Sequence, residues 1–346
     1  MIAVICTLLF IIFYTLIITY VERKIAAGMQ NRIGPNVVGI KGLLQPFADM
    51  LKLAQKTNTV PMSANKYLYF LAPILTFVMI FSSLAVLNPL FSERINVGVY
   101  YTLAFLSVKI IGVLISGIAS YNKFSLLAAF RACMQLISYE IPLILTIISA
   151  LMVLGYLDIK NINAAQGILT ENKIYLFALL DVSHIGGILS WNILQAPNML
   201  IGFVIFFIAS MMASNRGPFD TLEAESEIVA GYHTEYSSIG FALFMLSEYL
   251  SMFILALLAV IVFLGGVNTP LPNIGFINLA MLTTGVFWNV FWLILKAIAI
   301  VLTQIWLKWT LPRFKPNQVM LVCWKYLVPI SLCNLILSML WVILTR

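Results

Sequence analysis

Five of the chain's thirteen carboxylates, Asp220, Glu223, Glu225, Glu227 and Glu235, lie close together between two long apolar runs. Carboxylates this crowded titrate as a coupled set, because each charge makes the next ionisation costlier. Beside a layer of low dielectric the coupling grows, so the chemistry open to such a group is to take up, hold and pass protons. The segment reads Asn215-Arg216-Gly217-Pro218-Phe219-Asp220-Thr221-Leu222-Glu223-Ala224-Glu225-Ser226-Glu227. A helix starting after Pro218 predicts Asp220, Glu223 and Glu227 on one face, with Glu225 turned away. A plainer reading makes Asp220 an N-cap and Glu223 its capping-box partner. That leaves Glu225, Glu227 and Glu235 without a role.

Four further ionisable groups, Lys109, Glu140, Glu248 and Lys296, stand inside apolar runs or within a turn of their ends. A charge at the centre of a membrane helix costs roughly 2.5–3.5 kcal/mol on insertion scales, so each is a candidate functional group. The alternative is a set of buried ion pairs among the four. Glu140 follows Ser138-Tyr139 and precedes Pro142, a residue that loosens the local helix.

The elements that must position these residues are membrane helices. Hydrophobic residues make up 62% of the chain and charged ones 10%, with a mean hydropathy of +1.02, which excludes a soluble enzyme. The net charge of +7 comes from 20 basic residues scattered over 346, which form no basic face for nucleic acid. Apolar runs predict an all-α, single membrane domain over 1–346, with about eight spans at 2–20, 67–89, 98–118, 133–155, 197–213, 239–264, 278–305 and 325–344. Asp181, Ser183, His184 and Asn192 interrupt a competing run at 174–193, which reads as a loop or interfacial helix. The connections at 21–66, 119–132, 214–238 and 306–324, with Lys325 at the edge of the last span, carry 14 Lys and Arg against 3 in the others. The positive-inside rule therefore predicts those loops on the inner side and both termini outside. The chain opens directly on an apolar run with no cleavage signal, read as a retained first span.

Within 21–66, Gly34-Pro35 breaks any continuing helix. Beyond it Leu43, Leu44, Phe47, Met50 and Leu51 recur at helical spacing opposite Asp49, Lys52 and Lys56, predicting a short amphipathic helix in the interface. Lys52 and Lys56 read as surface anchors, whereas Asp49 sits among apolar neighbours and is a candidate site residue. Lys308 to Pro316 mixes bases and aromatics as an interfacial belt does. Cys6, Cys133, Cys323 and Cys333 form no C-x-x-C pair, and only His184 and His233 could join them, so no zinc, iron–sulfur or disulfide framework is predicted. No internal repeat, phosphate-binding glycine loop or nucleophilic triad is present.

Three blocks together resemble subunit 1 of NADH:ubiquinone oxidoreductase, the quinone-site membrane subunit of respiratory complex I. The first is Glu22-Arg23-Lys24 with Gln30-x-Arg32-x-Gly34-Pro35-Asn36, Gly42-Leu43-Leu44-Gln45-Pro46-x-Ala48-Asp49 and Lys52-Leu53. The second runs from Ser120-x-x-Lys123 through Arg131 to Ser138-Tyr139-Glu140. The third is Asn215-Arg216-x-Pro218-Phe219-Asp220 with Glu223-x-Glu225-Ser226-Glu227, Glu235-Tyr236 and Glu248-Tyr249. Leu311-Pro312-Arg313 adds a weaker C-terminal match.

The resemblance implies a membrane floor for the tunnel that admits ubiquinone, a component of the enzyme rather than a catalyst alone. It implies that Glu22, Arg23, Arg32, Asp49, Arg216 and Arg313 line the tunnel. Asp49, Glu140, Glu223, Glu225, Glu227 and Glu248 would form the proton path. No cofactor is expected in this chain; FMN and iron–sulfur clusters are expected in hydrophilic partner subunits, beside small membrane-arm subunits and lipid. Ala213 and Thr57 stand where the family commonly has Glu, and Lys308 where it usually has Arg, and Lys109 and Lys296 match no family position. Alternatives are the membrane anchor of an ion-pumping hydrogenase, and a secondary transporter, which the lack of an inverted repeat disfavours. The inner mitochondrial membrane is the expected location, with the bacterial plasma membrane as the alternative.

Overall fold

A computed structural model describes residues 2–87, 97–167, 175–176, 180–181, 185–222, 225–273, 283 and 285–345, with backbone alone for 2–4, 175–176, 180–181 and 225–226. Among these residues seven helices are long and apolar enough to cross a membrane, and Met199–Ala213 is a shorter apolar eighth. The protein is an all-α, multi-pass membrane protein. Together these helices are consistent with about eight spans.

Helix α1 (Ile2–Met29) outlasts the apolar run 2–20, because Ile25, Ala26 and Ala27 continue helical spacing and no breaker precedes Gly28. Glu22 thereby sits on a spanning helix rather than in a loop. The turn that follows is fixed by Gly42, whose φ is 80° and whose added Cβ would lie 2.2 Å from the Pro35 carbonyl oxygen. Only glycine fits there. Helix α2 (Gln45–Gln55) starts on Pro46 and turns Phe47, Met50 and Leu51 outward.

Helices α3 (Lys66–Leu87) and α4 (Gly98–Ala119) pack closely; a Cβ on Gly112 would lie 2.4 Å from Thr76 Cγ2. Small residues let backbones approach where lipid offers no hydrophobic drive. Helix α5 (Lys123–Leu154) absorbs most of the expected loop 119–132, because the Asn122 side chain accepts from Phe124 N at 3.0 Å and caps it early. Its 32 residues span about 48 Å, well beyond a hydrocarbon core of about 30 Å. Lys123 and Arg131 therefore ride on a rigid helix end.

After α6 (Ile159–Ala165), two short strands, β1 (Tyr175–Leu176) and β2 (Leu180–Asp181), pair antiparallel, followed by a 3₁₀ turn at Gly187–Ser190 and the one-turn α7 (Asn192–Gln195). The described residues of 174–193 form no spanning helix. Helix α8 (Met199–Ala213) leads to the acidic loop, the single turn α9 (Glu225–Ile228) and α10 (Ser238–Phe263). From Leu250 to Phe263 every α10 side chain is buried, so α10 is the axis of the bundle. Helix α11 (Val286–Thr310) runs past the expected end at 305; residues 278–282 and 284 lie outside the described residues. Helix α12 (Pro316–Leu321) continues through a π turn (Val322–Leu327) into α13 (Val328–Thr345). Asn334 ties α13 into the core, donating to Ser149 Oγ at 2.9 Å while accepting from Asn198 at 3.2 Å.

Candidate functional site

The buried centre of the site is Glu22. Lys308 Nζ, from the last turn of α11, stands 2.5 Å from its Oε1, and Tyr249 of α10 donates to Oε2 at 2.8 Å. Arg216 enters from the acidic loop. Its Nη1 is 4.0 Å from Glu22 and its Nη2 is 3.9 Å from Glu248, and its guanidinium lies 4.1 Å over the Tyr249 ring. Tyr232 donates to the other Glu248 oxygen at 2.8 Å. One guanidinium thus bridges two buried carboxylates on different helices, and a change of charge on either is felt by the other.

What holds Arg216 in place is the loop itself. Asn215 takes a left-handed φ of 53°, which asparagine tolerates. Gln135 of α5 donates to the Met212 and Phe219 carbonyls at 3.3 and 3.2 Å and accepts from Thr221 at 2.6 Å. Phe219 stacks on Phe314, and Phe314 N donates to the Pro218 carbonyl at 2.9 Å.

No helix runs through 219–222. The expected common face of Asp220 and Glu227 therefore does not form, nor does Asp220 cap a helix, because loop closure onto Gln135 and Phe314 outweighs local helical spacing. Asp220 instead pairs with Arg313 at 3.1 Å. Burial pushes its carboxyl up, with Arg313 opposing and the Glu248 charge adding to the rise. Glu227 pairs with Arg131 on the projecting end of α5 at 2.6 Å. Glu223 lies outside the described residues, and for Glu225 only its place in α9 is described.

Beside Glu22 opens a cavity of about 450 Å³ lined by Glu22, Arg23, Arg32, Gly34, Tyr249 and Trp309, among others. Pockets of roughly 300–1,000 Å³ suit small organic ligands. Arg23 pairs with Asp49 at 2.5 Å, and Gln45 donates to the same carboxylate at 3.0 Å. The expected tunnel residues thus form one wall for Glu22, Arg23 and Arg32, with Asp49 touching Arg23 and Arg216 touching Glu22. Arg313 stands apart with Asp220.

Glu140 lies deeper, accepting from Ser107 of α4. Ion pairing among the four intramembrane charges is not found among the described residues. Lys109 donates to the Ala213 carbonyl at 3.1 Å, and Lys296 donates to Leu264, Gly266 and Asn268 carbonyls at 2.8, 3.1 and 2.6 Å. Lys296 satisfies the open end of α10, a structural cap. Sequence reasoning gives no role to Tyr232, Tyr249 or Gln135 and places Lys308 only in an interfacial belt; for Tyr249 the available signal is its place next to Glu248.

Residues 2–339 match the profile of a protein family described as NADH dehydrogenase. A relative from Cytophaga hutchinsonii, named as the second H-type component of NADH-quinone oxidoreductase, is 42% identical over 361 positions, covering 99% of both chains. The H-type component from Chlorobium luteolum is 43% identical over 97% of this chain and 87% of its own, and the one from Bacillus thuringiensis 42% identical over 92% and 86%. The chain belongs to this family. These relatives are subunits of NADH-quinone oxidoreductase, in agreement with the resemblance carried by the three motif blocks. In this member of the NADH dehydrogenase family, Glu22, Arg216 and Glu248 form one contact network, and a lysine meets Glu22, donating as a point charge where an arginine would donate as a fork.

Proposed function

We propose that the chain is the quinone-access subunit of a membrane NADH-quinone oxidoreductase. The cavity between α1 and the 32–35 turn receives the quinone ring, and the carboxylate clusters carry the resulting change in protonation into the membrane. The observation that carries the reading is the shared Arg216. It joins Glu22, which lines the cavity, to Glu248, which lies inside the bundle. Arg23 and Arg32 supply donors for carbonyl oxygens, Trp309 an aromatic wall, and the outward apolar side of α2 suits an isoprenoid tail lying in lipid.

On this reading quinone is substrate, and electrons arrive from flavin and iron–sulfur clusters in hydrophilic partner subunits. The chain's own residues bind the ring and hold or move protons at Glu22, Glu248, Asp220, Glu227 and Glu140. The relatives' names contain quinone, which favours this reading over the hydrogenase anchor. All three relatives are bacterial, which supports the bacterial plasma membrane over the mitochondrial one.

The test is quinone-linked NADH oxidation in membranes bearing Glu227→Gln, Glu140→Gln or Arg23→Ala. The first two slow turnover while assembly persists, and the third raises the apparent KM for quinone. Wild-type turnover in both carboxylate variants together with an unchanged KM in the third would overturn the proposal.

A further inference from the structure

We infer that Lys109 is an additional proton carrier, placed to connect Glu140 with the Arg216 and Glu248 cluster. The inference rests on the function proposed above and assigns a residue that lies outside the three motif blocks. Lys109 sits within spanning helix α4 and is 5% exposed. Every other buried or half-buried base in the site has an evident structural partner: Lys308 has Glu22, Arg131 has Glu227, Arg313 has Asp220, and Lys296 has three carbonyls and the Trp191 ring. Lys109 has one carbonyl, that of Ala213, and among the described residues no carboxylate lies within 4.0 Å of it. A single neutral acceptor is a poor reason to bury an amine.

Its surroundings supply a better one. Lys109, Ser107, Tyr139, Glu140 and Ala213 line one cavity with about 20 Å³ open to the centre of a water molecule. One water needs roughly 10–15 Å³ of such space. Glu140 is held at that cavity by Ser107, two residues from Lys109 on the same helix. On the other side Glu248 and Arg216 are near enough to act on Lys109 through space. The titratable or charged groups turned toward it are therefore Tyr139 and Glu140 on α5, Glu248 on α10 and Arg216 in the loop.

A lysine amine changes protonation state readily in such settings, which an arginine does not. The step is a plain proton transfer. The Nζ ammonium gives a proton through one bridging water to the Glu140 carboxylate, leaving a neutral amine and a carboxylic acid. The amine is then reprotonated from the carboxylic acid of Glu248, whose carboxylate Arg216 stabilises.

The competing role is a strut, in which Lys109 only caps the last carbonyl of α8. Intact complex in membrane vesicles carrying Lys109→Met, Lys109→Arg or Glu140→Gln separates the two. NADH–quinone turnover is followed across pH, with NADH–hexaammineruthenium reduction reporting assembly of the redox arm. Lys109→Met lowers quinone-linked turnover by roughly tenfold and removes one limb of its pH profile, less than the 10²–10⁴ of a direct general acid because water still leaks protons. Lys109→Arg keeps the charge and the cap and does not rescue. Wild-type turnover and pH profile in Lys109→Met, or full rescue of both by Lys109→Arg, overturns the inference. If Lys109→Met fails to assemble, Lys109→Arg decides alone by the same profile. Unchanged turnover in Glu140→Gln removes the acceptor and overturns the inference as well, whereas the proposed function falls only if Glu227→Gln is also wild type and Arg23→Ala leaves the quinone KM unchanged.

Discussion

Replacing Lys308 by Met asks whether burial sets the strength of the Glu22 cluster. Lys308 Nζ lies 2.5 Å from Glu22, whose side chain is 9% exposed. Removing one partner of a fully buried pair costs about 3–5 kcal/mol. That is an upper bound here, because Lys308 is 23% exposed and Arg216 remains 4.0 Å from the carboxylate. Loss of one charge-assisted hydrogen bond, about 1.5–3 kcal/mol, is the closer magnitude, and it corresponds to a roughly ten- to hundredfold change in an equilibrium. The Arg23–Asp49 pair has the same 2.5 Å separation, but its side chains are 50% and 34% exposed. Arg23→Ala should therefore cost only about 0–1 kcal/mol of stability, whatever it does to quinone affinity. The assay is the half-life of quinone-linked turnover in membranes held at raised temperature, each variant scaled to its own starting rate. Lys308→Met shortens the half-life by up to the stated factor, and Lys308→Arg matches or exceeds wild type by adding a second donor. The double variant Lys308→Met with Glu22→Gln loses less than the two singles combined, since no stranded carboxylate remains. Equal half-lives in Lys308→Met and Arg23→Ala, or an additive double variant, would refute the reasoning.

Gln135→Leu removes both donors from the Met212 and Phe219 carbonyls and the acceptor for Thr221. Each stranded group costs about 1–3 kcal/mol, so limited proteolysis within 214–222 should accelerate at least tenfold; unchanged cleavage would show the loop to be held elsewhere. Lys296→Met strips three carbonyls at the end of α10, so the melting temperature of the complex falls while turnover per surviving complex stays at wild type; a fall in turnover alone would make Lys296 functional rather than structural. His233 has its imidazole held below the usual range by burial, with Glu248 and Asp220 opposing. Because the folded value is the lower one, stability is complete above the unfolded value of about 6.5 and declines as pH falls through it. His233→Gln should flatten that decline between pH 7.5 and 5.5 in melting experiments, and an undiminished slope would assign it to other groups.

The crossings were legible because each is a long apolar run, a signal that survives any uncertainty about tertiary contacts. Their ends were not. Helix α1 reaches Met29 and α5 begins at Lys123 because helices stop at breakers and caps, whereas hydropathy stops at the first charge. The polar residues of the site were legible as types and in motif blocks, but their pairing was hidden. Glu22 and Lys308 are 286 positions apart and meet only because α1 and α11 flank α10. Local periodicity misled most in the acidic loop. Asp220 and Glu227 read as one helical face, yet Arg313 takes the first and Arg131 the second.

That division has a physical logic. Had the loop acids lined one helix, their mutual repulsion would have been the dominant coupling, and each would have felt the others regardless of events elsewhere. Instead Glu227 and Asp220 each meet a base from a different element, Arg131 from α5 and Arg313 from the segment after α11, while Lys308 of α11 meets Glu22. Among the described residues Arg216 alone touches two carboxylates, and it sits on the loop that Gln135 and Phe314 brace. On the proposed function, a change of charge at Glu22 therefore alters the pull on Arg216 and is felt at Glu248 inside the bundle.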